Sequence, residues 1–375
     1  MHFAPSELLA GDAMVRELLR PFAEFLAIPG ATEIVVNRPG ELLVEAGPVW
    51  TRYAAPGLTL ERCQSLANAI ASYAGHSIDA GNPILSAQLP GGQRIQILVP
   101  PAAERDTVSI TIRIPDFAVR SFDDYQAEGF FARYLWARPE GLAERMHDLQ
   151  PVQQRLCALL QANRLADFLI LAVQSRQNIV FVGDTGCGKT SLMKAACQFI
   201  PLDERLVTIE DVRELVLERH PNRVHLLYGK PAQGQAHASV TPSDLIASCM
   251  RMKPDRVLLA ELRGGEAFDF LKLLTTGHSG SISSFHAESC ALAFERYVFM
   301  CKEHEQAGIY DAEALKRLVH LTIDVIVHIR VERATGAGGQ AARKERYISE
   351  VHYDPVAKLT SRFGGAHLYH GSAHV

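Results

Sequence analysis

The stretch Ile179-Val180-Phe181-Val182-Gly183-Asp184-Thr185-Gly186-Cys187-Gly188-Lys189-Thr190-Ser191 decides the reading of this chain. Four apolar residues form a short buried strand, a glycine-rich turn follows, and residues 189–199 have the composition of a helix. The turn matches GxxxxGK[ST] in the strand–turn–helix setting that gives the pattern its chemistry. Glycines let successive backbone N–H groups curl around a phosphate, and the helix N-terminus adds partial positive charge. A lysine at position 189 reaches the β- and γ-phosphates, and a hydroxyl at 190 can ligate Mg²⁺. Gly183, Asp184, Thr185, Gly186, Cys187, Gly188, Lys189, Thr190 and Ser191 therefore read as nucleotide-binding residues. At ordinary glycine usage, a chance match in a chain this long is expected about 0.01 times.

Outward from this turn the pattern alternates. Residues 156–176 read as a helix, 205–209 as a strand, 243–251 as a helix, 256–260 as a strand and 266–274 as a helix. Such βα alternation argues for a mainly parallel sheet covered on both faces. Residues 323–330 and 346–353 read as further strands around a flexible turn at 336–339. The first 136 residues differ. Helical periods at 7–27 and 60–73 accompany hairpins at 33–45 and 84–99 and an alternating strand at 107–114. The fold class is α/β: an N-terminal mixed α+β sheet domain (1–136), a proline- and charge-rich linker (137–151) and a P-loop nucleotide domain (152–375). Fully extended, that linker could reach on the order of 50 Å, enough for one subunit's N-terminal domain to sit over a neighbour's nucleotide domain.

Composition narrows the class further. With 38 Lys+Arg against 42 Asp+Glu, the formal charge of the 375 residues is −4, which disfavours general affinity for nucleic acid. Seven cysteines without a CxxC pair fit reduced thiols better than a disulfide framework or a zinc site. No basic segment leads into an apolar one at the N-terminus, and no apolar run is long enough to span a bilayer. The expectation is an intracellular protein.

Three other features carry chemistry. Val257-Leu258-Leu259-Ala260-Glu261 is an apolar strand running into an acid, the form of a Walker B element with alanine where aspartate is usual. Glu261 is expected to hold Mg²⁺, directly or through water, or to orient the attacking water. Leu206-Val207-Thr208-Ile209-Glu210-Asp211 is a second apolar strand ending in acids. C-terminal strand ends of a parallel sheet converge on the ligand crevice, so Glu210 is expected to face the γ-phosphate beside Glu261. It is preferred to Asp211 because it directly ends the apolar run. Finally, Thr276-Gly277-His278 leads through a strand of small residues to His286, and both histidines are candidates for sensing the γ-phosphate.

These elements, in this order, resemble the secretion ATPase superfamily of bacterial type II and type IV machines, and within it the type IV secretion-system traffic ATPases. Met252-Lys253-Pro254-Asp255-Arg256 with Ala260-Glu261-Leu262-Arg263-Gly264-Gly265-Glu266-Ala267 is similar to that family's Walker B stretch. Ile209-Glu210-Asp211 with Glu214-Leu215 resembles its acidic box, and residues 276–287 resemble its histidine box. Asn37-Arg38-Pro39-Gly40-Glu41, Gly92-Gln93-Arg94-Ile95-Gln96-Ile97 and Thr111-Ile112-Arg113 resemble its N-terminal domain. The resemblance implies a RecA-like second domain with ATP at the junction of the two, and arginines from the first domain, here Arg94 and Arg113, completing the phosphate site. It also implies a homohexamer, cytoplasmic and peripheral at the inner membrane. Such a ring meets inner-membrane components of a secretion channel and moves a secreted protein or nucleoprotein, without sequence-specific nucleic-acid binding. Cys187 stands where that family usually has serine, and Ser191 where threonine is common. Near a helix N-terminus, the Cys187 thiol is expected to have a depressed pKa.

The expected activity is hydrolysis of ATP to ADP and phosphate by Lys189, Glu210, Glu261, Arg94, Arg113 and His286. The expected role is powering pilus assembly or substrate translocation in a type IV secretion system. Three alternatives stay open: a type II secretion or type IV pilus motor, a nucleotide-gated docking ring with little turnover, and a small-molecule kinase. The type II motors often carry a four-cysteine zinc insertion, which Cys290 and Cys301 alone cannot make.

Overall fold

The computed structural model describes residues 10–47, 49–114, 118–229, 240–334 and 343–363. The expected turn at 336–339 lies outside these residues, as do the first nine positions.

Two sheets organise the chain. The first is six-stranded and wholly antiparallel: β1 (Ala31–Val36), β2 (Glu41–Ala46), β3 (Val49–Ala54), β4 (Ile84–Gln88), β5 (Arg94–Leu98) and β6 (Ser109–Arg113), in the order β3-β2-β1-β6-β5-β4. Its strands alternate, so Ile34, Val36, Ile95, Ile97, Ile110 and Ile112 point to one side. There they pack against Leu66 and Ile70 of the helix Leu60–Tyr73. Arg94 and Arg113 point to the other side, because each neighbours a buried isoleucine. The expected helix over 7–27 is broken near Pro21, which sits in a separate 3₁₀ turn Arg20–Phe22.

The second sheet has eight strands: β7 (Leu135–Trp136), β8 (Ile179–Gly183), β9 (Leu206–Glu210), β10 (Arg223–Leu227), β11 (Arg256–Leu259), β12 (Ile282–Phe285), β13 (Val325–Ala334) and β14 (Arg343–Tyr353). Their order is β10-β9-β11-β12-β8-β13-β14-β7, parallel throughout except for the antiparallel β13–β14 pair. Alternate residues of β8 enter two different cores. Ile179 and Phe181 pack with Phe168 and Leu192 on one face, while Val180 and Val182 pack with Phe270 and Phe294 on the other. Both faces of β8 are buried, which is why it reads as an unbroken apolar run. Residues 156–176, expected as one helix, form two (Pro151–Gln161 and Leu165–Gln174) around Asn163, whose positive φ stops the first.

The passage between the sheets lies earlier than the composition of 137–151 suggests. Phe122, Tyr125, Phe130 and Phe131 share a core with Phe168 and Phe181, and β7 pairs with β14. The Trp136 indole N–H donates to the carbonyl of Tyr353 at 3.1 Å. Residues 122–136, expected in the N-terminal domain, thus pack with the second sheet. The segment expected as an exposed linker is pinned by buried Leu142 and Leu149. Its prolines and glycine make turns, but two leucines are enough to hold those turns against the core.

Candidate functional site

Parallel pairing brings the critical loops together. Phe285 of β12 lies opposite Val182 of β8, so His286 and Gly183, one residue further on, emerge side by side. Leu259 of β11 lies between Ile209 and Ser283, and the segment beyond it is stitched to both neighbours. The Ala260 N–H donates to the carbonyl of Ile209, and the Ser284 hydroxyl to the carbonyl of Ala260. Glu261 is therefore delivered on a fixed backbone beside the phosphate loop.

Within that loop, Gly183 has φ +147°, and an added Cβ would lie 2.3 Å from the carbonyl oxygen of Ile329. No other residue fits there without moving β13. The Lys189 ammonium donates to the carbonyls of Gly183 at 2.8 Å and Asp184 at 2.9 Å, and lies 3.4 Å from His286 Nδ1. Burial lowers its pKa, opposed by nearby anionic groups. Cys187 is the loop's anchor. Its side chain is fully buried, and burial raises its thiol pKa despite the adjacent Lys189. The expectation of a depressed, reactive thiol is corrected: the helix N-terminus acts on a group that water does not reach.

The two sheets face each other across a cleft of ≈ 400 Å³ lined by Arg94, Arg113, Glu261, Arg263, His286 and Arg296 among others. Arg94 and Arg113 are direct register partners on β5 and β6, so they enter the cleft as a pair. Arg94 Nη2 contacts Asp211 at 2.9 Å and Glu214 at 2.8 Å. Glu261 accepts from Arg263 through one oxygen and lies 3.0 Å from His286 Nε2 through the other. Sequence reasoning missed Arg263 and Arg296 as cleft residues. It also missed Arg346, whose Nε donates to the carbonyl of Gly186 at 3.2 Å from β14. Surface arginines on strands and helices carry no pattern that separates them from solvated ones.

Two expectations are corrected by this geometry. Glu210 is fully buried. One carboxylate oxygen accepts from the N–H groups of Glu214 and Leu215, both at 2.8 Å, and the other from the Thr208 hydroxyl at 2.8 Å, with His225 Nδ1 at 3.2 Å. It is a structural carboxylate that shapes the loop, and Asp211 is the residue that meets the arginines. His278 precedes β12 while the phosphate loop follows β8, and the two strands are parallel. It therefore sits at the opposite edge of the sheet, where its backbone carbonyl accepts from the Ser281 hydroxyl.

A mainly parallel sheet with a phosphate loop, facing an arginine-bearing antiparallel sheet, defines a two-domain P-loop nucleoside-triphosphatase fold. A family model described as "Type II/IV secretion system protein" matches residues 141–358. The chain is 46% identical over 346 residues to the type IV secretion system protein VirB11 of Brucella suis, covering 92% of each. It is 43% identical over 329 residues to PtlH of Bordetella pertussis, covering 86% of this chain and 91% of PtlH. The crystal structure of the Brucella suis VirB11 ATPase in complex with sulphate aligns at 46% identity with a TM-score of 0.50, over 92% of this chain and 99% of that one. The chain belongs to the type II/IV secretion system protein family, and it is a secretion-system ATPase.

Proposed function

We propose that ATP is hydrolysed in the cleft between the two sheets, with its phosphates on Gly183–Ser191. The observation that carries this reading is the convergence of Arg94, Arg113, Glu261 and His286 on one cleft beside Lys189. Lys189 already donates to two loop carbonyls, and an incoming triphosphate offers its ammonium stronger, charged acceptors. The loop's backbone N–H groups, with Asp184, Thr185, Gly186, Cys187 and Gly188 setting their curve, wrap the phosphates. Arg94 and Arg113 neutralise charge that builds on the transferring phosphoryl group. His286, between Lys189 and Glu261, answers to the γ-phosphate, and Glu261 aligns the attacking water.

The Thr190 hydroxyl and the Glu261 carboxylate are hard oxygen donors and fit Mg²⁺. Bound there, the ion would supply further neutralisation of phosphate charge. The chain works as a homohexameric ring, peripheral on the cytoplasmic side of the inner membrane, against channel components. The ring converts closure of the two sheets on nucleotide into movement of a secreted protein or nucleoprotein. No described helix is long and apolar enough to cross a membrane. The test is steady-state phosphate release. Glu261→Gln should fall to background while still binding nucleotide, and a variant that matches the parent would refute hydrolysis by this site.

A further inference from the structure

The ion pairs of the cleft form one continuous line. Arg94 Nη2 holds Asp211 Oδ1 at 2.9 Å. Asp211 Oδ2 takes Arg263 Nη1 at 2.9 Å. Arg263 turns its other two nitrogens to a single oxygen of Glu261, Nε at 2.8 Å and Nη2 at 2.6 Å. The second oxygen of Glu261 faces His286, whose Nδ1 lies 3.4 Å from the Lys189 ammonium. The line runs from a strand of the antiparallel sheet to the lysine of the phosphate loop, and Arg263 is its middle link.

The geometry at Arg263 is specific. Two guanidinium nitrogens hold one Glu261 oxygen, and His286 meets the other, so the two contacts together set the carboxylate's orientation. Glu261 is thereby held with Oε2 occupied and Oε1 turned toward His286 and the phosphate side. The side chains of Asp211 and Glu261 are only 13% and 24% exposed while Arg263 is 43% exposed, so the pairs are screened in part by solvent from the arginine side. Burial alone would lower the guanidinium's pKa, but Asp211 and Glu261 outweigh it and hold the group above its ordinary value.

We propose that Arg263 is a positioning residue for hydrolysis: it orients Glu261 and, through Asp211, ties that orientation to the placement of Arg94. Arg263 touches neither water nor phosphate in this role. When Arg94 leaves Asp211 for the phosphates, Arg263 keeps Asp211 neutralised and Glu261 in place. Asp211, the less exposed of Arg94's two partners, thus keeps a cation as the sheets close, while Glu214 gives its own up. This inference rests on the cleft being the site of hydrolysis.

The test compares Arg263→Gln, Arg263→Lys and Asp211→Asn in the full chain, with Lys189→Ala as the control for the site itself. Arg263→Gln should lower kcat on the order of 100-fold, the scale of a misplaced catalytic group, with KM for ATP within about threefold of the parent. Arg263→Lys keeps the charge but not the fork, so it should restore roughly tenfold of the lost kcat. Asp211→Asn leaves the grip on Glu261 intact and should cost less than about tenfold in kcat. Thermal melting shows that each variant is folded. Three results would each overturn the proposal. One is Arg263→Gln turning over like the parent, another is KM rising as far as kcat falls, and the third is Asp211→Asn losing as much kcat as Arg263→Gln. If Lys189→Ala itself still binds and cleaves ATP, the placement of the site fails instead.

Discussion

The six-stranded sheet lends the cleft side chains from the paired terminal positions of two strands, while the eight-stranded sheet lends residues at or just past its strand ends. Arg94 and Arg113 are placed by register: opposite each other, each beside a buried isoleucine, their direction is fixed by the pleat. Glu261, His286 and the phosphate loop are placed by where the parallel strands stop. Register fixes the direction in which a side chain leaves its sheet. End-placed ones depend on loop hydrogen bonds, which explains why carboxylates such as Glu210 are spent on holding loops. On the proposed reading, nucleotide would meet one jaw whose side chains are set by register and one shaped by its loops.

The largest effect that sharpens this contrast is expected on the register-set jaw. Arg113→Ala, read by phosphate release per folded chain, should lower kcat on the order of 10³-fold. Arg94, its register partner on β5, is the nearest strand cation, but in this reading it has its own place on the phosphates and cannot serve both. A fall of only a few-fold would mean that the antiparallel sheet is a bystander.

On the loop jaw the expected cost is stability. Glu210→Gln keeps the shape but breaks a fully satisfied carboxylate that accepts from two backbone N–H groups. Denaturant unfolding should show a loss of about 1–3 kcal/mol, with kcat of the folded protein within about threefold. A stable but inactive Glu210→Gln would restore the carboxylate to the chemistry and break the contrast.

An effect seen only towards acid pH tests how the helix Cys290–Lys302, which carries Arg296 into the cleft, is anchored. Its Phe294 stacks on His320 at 3.7 Å and meets His352 edge-on. Burial and the neighbouring His320 lower the His352 pKa to about 4. A histidine whose folded pKa is depressed is protonated first in the unfolded chain. Stability should therefore fall as pH drops from about 6.5 towards 4, by on the order of 3 kcal/mol. His352→Gln should flatten that slope in chemical unfolding series, and an unchanged slope would assign the acid sensitivity elsewhere.

How much of this was legible in the sequence follows the same division. The phosphate loop and Glu261 stand at the ends of apolar runs and His286 after a strand of small residues, so their places beside one another could be read from the sequence. Arg94 and Arg113 needed the family resemblance, because a strand arginine looks solvated until the facing domain is known. The choice between Glu210 and Asp211 turned on tertiary packing. Thr208 and Glu210 share a face of β9, and that face is buried against His225, so the acid ending the apolar run turns inward. Strands β3 and β10 escaped because neither buries a face, β3 being exposed along nearly its whole length and β10 half-buried up to its exposed last residue. The domain junction escaped because 137–151 has a linker's composition, while its two anchoring leucines are inconspicuous in sequence.

The most direct measurement is a titration of a fluorescent ATP analogue against the parent and Lys189→Ala, with phosphate release followed in parallel. Loss of one charged donor to the phosphates should weaken binding on the order of 10- to 100-fold and reduce phosphate release to background. Unchanged affinity with undiminished release would contradict a triphosphate held by the Gly183–Ser191 loop.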